Sequence, residues 1–250
     1  MTITLFAFNC GWFQCKAGFF MEGSEDETYV RSPVPAYLIR HPKGLVLFDT
    51  GLGERNRRAI ETRLPPQKFG LEMFDGMDIA ARLRSIDVDP AGVGWIIASH
   101  LHNNHCGGIM FMPNATVIVQ SREWAAAQAC EDPWVYNRVD FDTGHKVRAI
   151  DGELDLLGDG SILIFPTYGH TPEHQSVRVR LPKGDVILTA DCCYLQRSLE
   201  EMRLPGFTYD KEAALETLKS LAVEQRKGAR LFYGHDAGFW DSVPEGQSIT

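Results

Sequence analysis

The sequence predicts an α/β sandwich, two β-sheets packed face to face with helices on their outer faces. A faint internal repeat places two matching hairpins far apart in the chain. Apolar, strand-like runs alternate with amphipathic helical segments, and four of those runs each end in a residue type that binds metal ions.

The repeat starts with residues 36–41, a Pro42-Lys43-Gly44 turn, and an apolar run over residues 45–48 that leads to Asp49. It returns as residues 177–181, Pro182-Lys183-Gly184, and a run over 186–189 that leads towards Asp191. Proline presets φ at a turn position and glycine supplies the permissive one, so each half reads as a β-hairpin. Two such hairpins suggest two similar sheets. Three helices are legible between the strands. Asp78 is a candidate N-cap for a stripe of Ile79, Leu83 and Ile86, and Ser121 for an alanine-rich helix running through Cys130. From Asp210, the residues Ala214, Leu215, Leu218, Leu221 and Ala222 recur at helical spacing until Gly228 stops the run. Strands alternating with such helices fit a layered sandwich.

With 250 residues, 44% hydrophobic and 23% charged, the chain can bury a full core and is not compositionally disordered. Its net charge of −8 argues against a nucleic-acid partner, which normally meets a basic face. No apolar run reaches the roughly 18 residues of a membrane span, and residues 1–13 lack the basic start of a secretory signal. The six cysteines (Cys10, Cys15, Cys106, Cys130, Cys192 and Cys193) show no CxxC spacing, so a reduced, cytoplasmic setting is expected.

The chemistry concentrates in His100-Leu101-His102-Asn103-Asn104-His105, directly after the apolar run 95–98. In extended chain, residues i and i+2 point the same way, so His100 and His102 can reach one ion, while His105, past a turn, faces a second position nearby. A His-rich surface loop would read the same way in isolation. However, His170, Asp191 and His235 also each close an apolar run. Strand ends along one sheet edge are where a rigid scaffold gathers side chains from distant sequence. Five of the eight histidines occupy such positions; His41, His145 and His174 read as surface residues or as neighbours of the ligands. Imidazoles with a carboxylate fit zinc first, although manganese, iron and cobalt accept similar donors.

These residues resemble the metallo-β-lactamase superfamily, whose signature is HxHxDH followed by a distant His, Asp and His. Within it the chain looks most like the N-acyl-homoserine lactone hydrolases. The supporting segments are Phe48-Asp49-Thr50-Gly51, His105-Cys106-Gly107-Gly108, Gly169-His170-Thr171-Pro172, Asp191 with Tyr194 three residues on, and Gly234-His235-Asp236. The resemblance runs along nearly the whole chain. It implies one hydrolase domain over residues 1–250, folded as an αββα sandwich of two mixed sheets. It also implies that His100, His102 and His170 hold one metal ion, that His105 and His235 hold a second, and that Asp191 bridges them. A hydroxide between the metals would attack the carbonyl, and Tyr194 would hydrogen-bond the substrate oxygen. Asp49 suits either an outer carboxylate orienting an imidazole or a simple Asp-Thr-Gly turn.

One position departs from the pattern: the motif aspartate is Asn104. An amide offers a second ion only a neutral oxygen and cannot take up and return a proton. The expectation is therefore one or two Zn2+ ions, with the second held weakly, and a leaving-group proton supplied from elsewhere. On the substrate side, residues 18–21 (Gly-Phe-Phe-Met) and 69–74, together with Trp124 and Trp134, suit an acyl-chain pocket or ordinary core packing. Cys106, Cys192 and Cys193 read as small apolar filling beneath the site.

The expected partner is a small lactone or acyl substrate, with no nucleic acid and no membrane. The expected reaction is metal-dependent opening of a lactone ring. The competing readings are thioester or β-lactam hydrolysis on the same fold, and a catalytically weakened protein that binds a small ligand. Only residues 236–250 follow His235, short for the basic C-terminal helical segment of glyoxalase-type thioesterases.

Overall fold

A computed structural model describes residues 2–24, 28–53 and 69–250, without the side chains of residues 69–71. Two mixed sheets form the centre. The first has the order β4-β1-β2-β3-β5-β6-β7, built from Thr4–Lys16 (β1), Tyr29–His41 (β2), Gly44–Phe48 (β3), Phe69–Glu72 (β4), Val93–Ile97 (β5), Thr116–Gln120 (β6) and Lys146–Ile150 (β7). The second has the order β12-β11-β10-β9-β8, built from Leu154–Asp155 (β8), Ile162–Pro166 (β9), Gln175–Leu181 (β10), Gly184–Ala190 (β11) and Arg230–Tyr233 (β12). Each repeated hairpin lands in its own sheet. β2 and β3 pair from His41↔Gly44 upward, and β10 and β11 from Leu181↔Gly184.

Period-2 alternation explains why the sheets face each other. Tyr37, Ile39, Val46 and Phe48 of the first sheet pack with Val177, Val179, Val186 and Leu188 of the second in one buried cluster. The opposite face of the first sheet, carrying Leu38, Leu47 and Ile96, packs on Ile79–Arg84 (α2) and Ser121–Ala129 (α4). Ile187 and Leu231 of the second sheet pack on Gln196–Glu201 (α6) and Lys211–Arg226 (α7). The short helices Ala17–Phe20 (α1), Asn103–Cys106 (α3), Arg138–Phe141 (α5) and Ala237–Trp240 (α8) complete the described set. The architecture is the predicted αββα sandwich.

The helices follow their local signals. Asp78 Oδ1 accepts from Ala81 N at 2.9 Å, and Asp210 Oδ1 from Ala213 N at 3.1 Å, each satisfying a donor that a helix start leaves unpaired. α7 buries Ala214, Leu218, Leu221 and Ala222, and Gly228 beyond it takes φ +102°. Each fully buried leucine there contributes about 1.5–3 kcal/mol. The expected cap at Ser121 is corrected. Ser121 is the first helical residue, and its hydroxyl donates instead to the Ile150 carbonyl at 3.1 Å, tying α4 to β7.

Candidate metal centre

β3 and β5 run parallel, as do β11 and β12, and β9 shares their direction because both it and β11 are antiparallel to β10. The residues just beyond these strands, Asp49, His100, His170, Asp191 and His235, therefore meet at one edge of the sandwich. Gln175 N donates to the Ser99 carbonyl at 2.9 Å and joins the two sheets beneath that edge. Local backbone adjustments aim these side chains. Asp49 and Ala190 adopt φ +56° and +45°, sparsely populated values that cost about 1–3 kcal/mol each and cluster at functional sites. Gly169 has φ +122°, and a Cβ there would lie 2.3 Å from Ala214 N, so only glycine lets His170 approach beside α7.

Two groups of donor atoms result, each within 4.8 Å mutual reach: His100, His102, His170 and Asp191, and His105, Asp191 and His235. In the first, His100 Nε2 lies 2.9 Å from His102 Nδ1, His170 Nε2 lies 3.2 Å from the same Nδ1, and Asp191 Oδ2 lies 3.3 Å from His170 Nε2 and 3.8 Å from His100 Nε2. In the second, Asp191 Oδ1 lies 3.1 Å from both His105 Nε2 and His235 Nε2. A tetrahedral zinc site with bonds of about 2.0 Å sets its donors about 3.3 Å apart, which matches these spacings. Asp191 Oδ1 is buried yet makes no hydrogen bond, so the imidazoles beside it converge on a point without bonding to it. The donor set fits divalent cations at both positions, with Asp191 shared.

The outer contacts leave the inward nitrogens bare. Asp49 Oδ2 sits 2.8 Å from His105 Nδ1 and accepts from Ser99 Oγ at 2.8 Å, while that hydroxyl lies 2.9 Å from His100 Nδ1. His235 Nδ1 faces the Pro33 carbonyl at 2.7 Å. With Nδ1 donating outward in all three rings, Nε2 is the nitrogen turned inward towards a cation. Of the two readings open for Asp49, the orienting carboxylate is the one observed. Ser99 and Pro33 were not legible in the sequence, because a hydroxyl and a backbone carbonyl carry no signature of this role.

Burial holds His102 down to about 4, and pushes His100 and His170 well below the ordinary 6.5. These rings are neutral near pH 7, so protons do not compete with a cation for them. Burial would lower His105 as well, but the Asp191 and Asp49 carboxylates outweigh it and raise His105 to about 10. Burial also works against ionised Asp191, yet the adjacent His105 and His235 hold it well below the usual carboxylate range. His174, behind His100 and bonded to Thr167 Oγ1 at 2.9 Å, is lowered by burial to about 3.

A pH dependence follows for the ion-stripped protein. Where the folded value lies below the unfolded one of about 6.5, as for His102 and His174, the unfolded chain protonates first, so stability falls as pH drops from about 6.5 towards 3. His105 has the opposite sign: its contribution is complete below about 6.5 and lost as pH rises towards 10. Thermal melts in chelator from pH 4 to 10 are expected to peak at about pH 6–7. A flat profile contradicts these environments.

Asn104 Nδ2 lies 2.8 Å from His105 Nε2 and 3.5 Å from His235 Nε2, so the amide edges the second group where the motif places its aspartate. Tyr194 is buried and crosses the His235 ring at 5.0 Å and 89°, and it lies 5.7 Å from the His170 ring. Burial and nearby Asp191 push its phenol well up, leaving a protonated donor beside both groups.

Aromatic rings surround this edge. Phe207 lies 5.8 Å from the His102 ring and 5.9 Å from that of His170, and stacks on Phe19 at 6.4 Å and 11°. Gly206 N donates to the Phe19 carbonyl, and a Cβ at Gly206 would meet Gly18 O at 2.6 Å, which holds the two segments in register. Phe13 and Phe20 flank His235. Of the segment 18–21, Phe19 and Phe20 border the site, Phe20 as a buried ring, while Met21 is buried. Phe207 and Phe13 were missed, because pocket and core aromatics look alike in sequence. Trp124 and Trp134 are not brought to the site: Trp124 packs on Phe141 under the first sheet, and Trp134 is exposed. Met73 joins a small core cluster and Phe74 is exposed, while the side chains of 69–71 lie outside the described residues. Cys106, Cys192 and Cys193 are buried thiols, with burial pushing Cys192 up to about 12, and serve as filling.

Comparison with known proteins places this geometry. The sequence model of the metallo-beta-lactamase superfamily matches residues 29–235, a span that holds every one of these donor residues. The chain belongs to the metallo-β-lactamase superfamily. N-acyl homoserine lactonase AttM of Azorhizobium caulinodans is 33% identical over 261 aligned residues, covering 96% of this chain and 95% of its own. N-acyl homoserine lactonase of Bacillus cereus is 31% identical over 209 residues, covering 82% of this chain and 81% of its own. A solved N-acyl homoserine lactone hydrolase with the product N-hexanoyl-L-homoserine bound at its catalytic metal center superposes with a TM-score of 0.89 at 26% identity, over 100% of both chains.

Proposed function

We propose that this superfamily member is a metal-dependent hydrolase that opens the ring of N-acyl-homoserine lactones, with zinc as its ion. The observation that carries the reading is the pair of donor groups sharing Asp191 with Tyr194 alongside, at an edge roofed by the Phe19–Phe207 stack. The relatives that act on these lactones support the substrate class. His100, His102, His170 and Asp191 would hold one cation, and His105, His235 and Asp191 a second, with Asn104 as a weak neutral neighbour. A divalent cation bound there supplies Lewis acidity and brings the pKa of water from 15.7 towards about 7.

The chain's own residues do the rest. Asp191 places its charge between the two groups, and Asp49 and Ser99 fix the imidazoles that face it. Tyr194 donates a hydrogen bond to the lactone oxygen as negative charge develops there. Phe19 and Phe207 offer flat apolar surface to an acyl chain, worth about 0.8 kcal/mol for each methylene fully buried. Asn104 has no proton to exchange, and the Tyr194 phenol, whose ring lies beside those of His235 and His170, is assigned the donor's role. Tyr194→Phe is expected to lower kcat by about 10²–10³-fold, the usual effect of removing one oxyanion donor, with metal content unchanged by elemental analysis. Undiminished kcat removes Tyr194 from the chemistry.

The experiment that tests the function compares lactone opening in a weakly buffered pH assay with thioester and β-lactam cleavage by the same zinc-loaded sample. Turnover of acyl-homoserine lactones well above the other two is the predicted result; preference for a thioester or β-lactam overturns the substrate class. Asn104 favours one second reading, a weakened binding protein. Tight lactone binding with no turnover in fully metallated protein would establish it.

A further inference from the structure

Glu123, in the first turn of α4, is fully buried and reaches away from its own helix. Its Oε1 accepts from Leu101 N at 3.2 Å and from the Tyr136 hydroxyl at 2.9 Å, and its Oε2 accepts from Glu173 N at 3.4 Å. Leu101 stands between His100 and His102, and Glu173 follows His170 by three residues. The Tyr136 ring lies 5.3 Å from the ring of His102, on which it leans at 43°. One carboxylate thus clasps both chain segments that supply the three imidazoles of the first donor group, together with the aromatic ring that backs one of them. Glu173 returns the link, its Oε2 accepting from Arg122 N at 2.6 Å beside Glu123.

We propose that Glu123 is a positioning residue for the first cation, setting the separation of the 100–102 and 170–173 segments to the spacing a tetrahedral ion requires. The proposal rests on the metal-centre reading given above and adds to it a residue that touches neither ion nor substrate. A buried carboxylate on one wall of a site is costly unless its oxygens are bonded, and two of its three donors are backbone amides of the segments that carry the imidazoles. Among the described residues no single carboxylate outside the donor group itself joins both segments of the second group, whose His105 and His235 are fixed by Asp49 and Pro33. Loss of Glu123 therefore acts on one ion rather than on both.

The test is a zinc titration against a competing chelator dye, run on wild type, Glu123→Ala, Glu123→Gln and Leu218→Ala. Leu218 is buried under the second sheet and makes none of the Glu123 contacts, so its variant controls for general destabilisation. The expected result is a loss of about 10–100-fold in affinity for the tighter ion in Glu123→Ala, the usual scale for a residue that orients metal ligands. Glu123→Gln, which keeps one oxygen for Leu101 and Tyr136 but turns an NH2 towards Glu173 N, is expected to lose less, and Leu218→Ala nothing. Wild-type affinity in both Glu123 variants overturns the proposal, as does an equal loss in Leu218→Ala at matched Tm. Should Glu123→Ala not fold, unchanged affinity in Glu123→Gln is decisive against it. A wild-type protein that takes up no zinc brings down the metal reading itself, a result distinct from any of these.

Discussion

Asp191→Ala is expected to weaken both cation positions at once, because its two oxygens face different groups: Oδ2 towards His100 and His170, Oδ1 towards His105 and His235. It is the one carboxylate in either donor group. Removing one partner of a buried charged set costs about 3–5 kcal/mol, which corresponds to about 10²–10⁴-fold in a binding constant. Zinc titration is expected to show a loss of that size at each position, and lactone turnover to fall with it. His235→Ala provides the contrast, since it belongs only to the second group and leaves the first ion bound. Comparable loss of both ions in His235→Ala, or retention of either at full affinity in Asp191→Ala, contradicts the shared-ligand geometry.

Asn104→Asp is expected to act in the opposite direction. The amide already sits 2.8 Å from His105 Nε2, so a carboxylate of the same shape would face the second position without rebuilding the loop. Residues that merely orient metal ligands are worth about 10–100-fold in affinity, and a charge facing the ion directly is worth at least that. The second ion is therefore expected to bind about 10–100-fold more tightly. Turnover is expected to rise by about tenfold or more, because the new carboxyl can also carry a proton. A variant that gains neither metal nor rate shows that Asn104 limits neither.

Much of this centre was legible in the sequence for a definite physical reason. Strand ends are rigid, and His100, His170, Asp191 and His235 each terminate an apolar run whose periodicity announces a strand. The Pro-Lys-Gly hairpins likewise announced two sheets, because proline and glycine carry their backbone preferences with them. Contacts that depend on packing between distant segments were hidden. Phe207 reaches the site through the close approach of Gly206 to Gly18, and Glu123 reads as an ordinary helix-start acid until its carboxylate is found turned inward onto Leu101 and Tyr136. Ser121 misled for a related reason. Its hydroxyl was free to cap the helix locally but bonds Ile150 instead, a tertiary partner overriding a local preference. Asp49 stood between two readings until the fold set its Oδ2 2.8 Å from His105 Nδ1.

Histidines and one aspartate from separate segments of the chain form the proposed cation site. Elemental analysis of protein purified without added metal, then chelator-stripped and reloaded with zinc, tests it most directly. The predicted result is at least one tightly held transition ion per chain, with a second that reloads at higher zinc concentration. A folded sample that carries none, and takes up none on reloading, rules out a cation site at these residues.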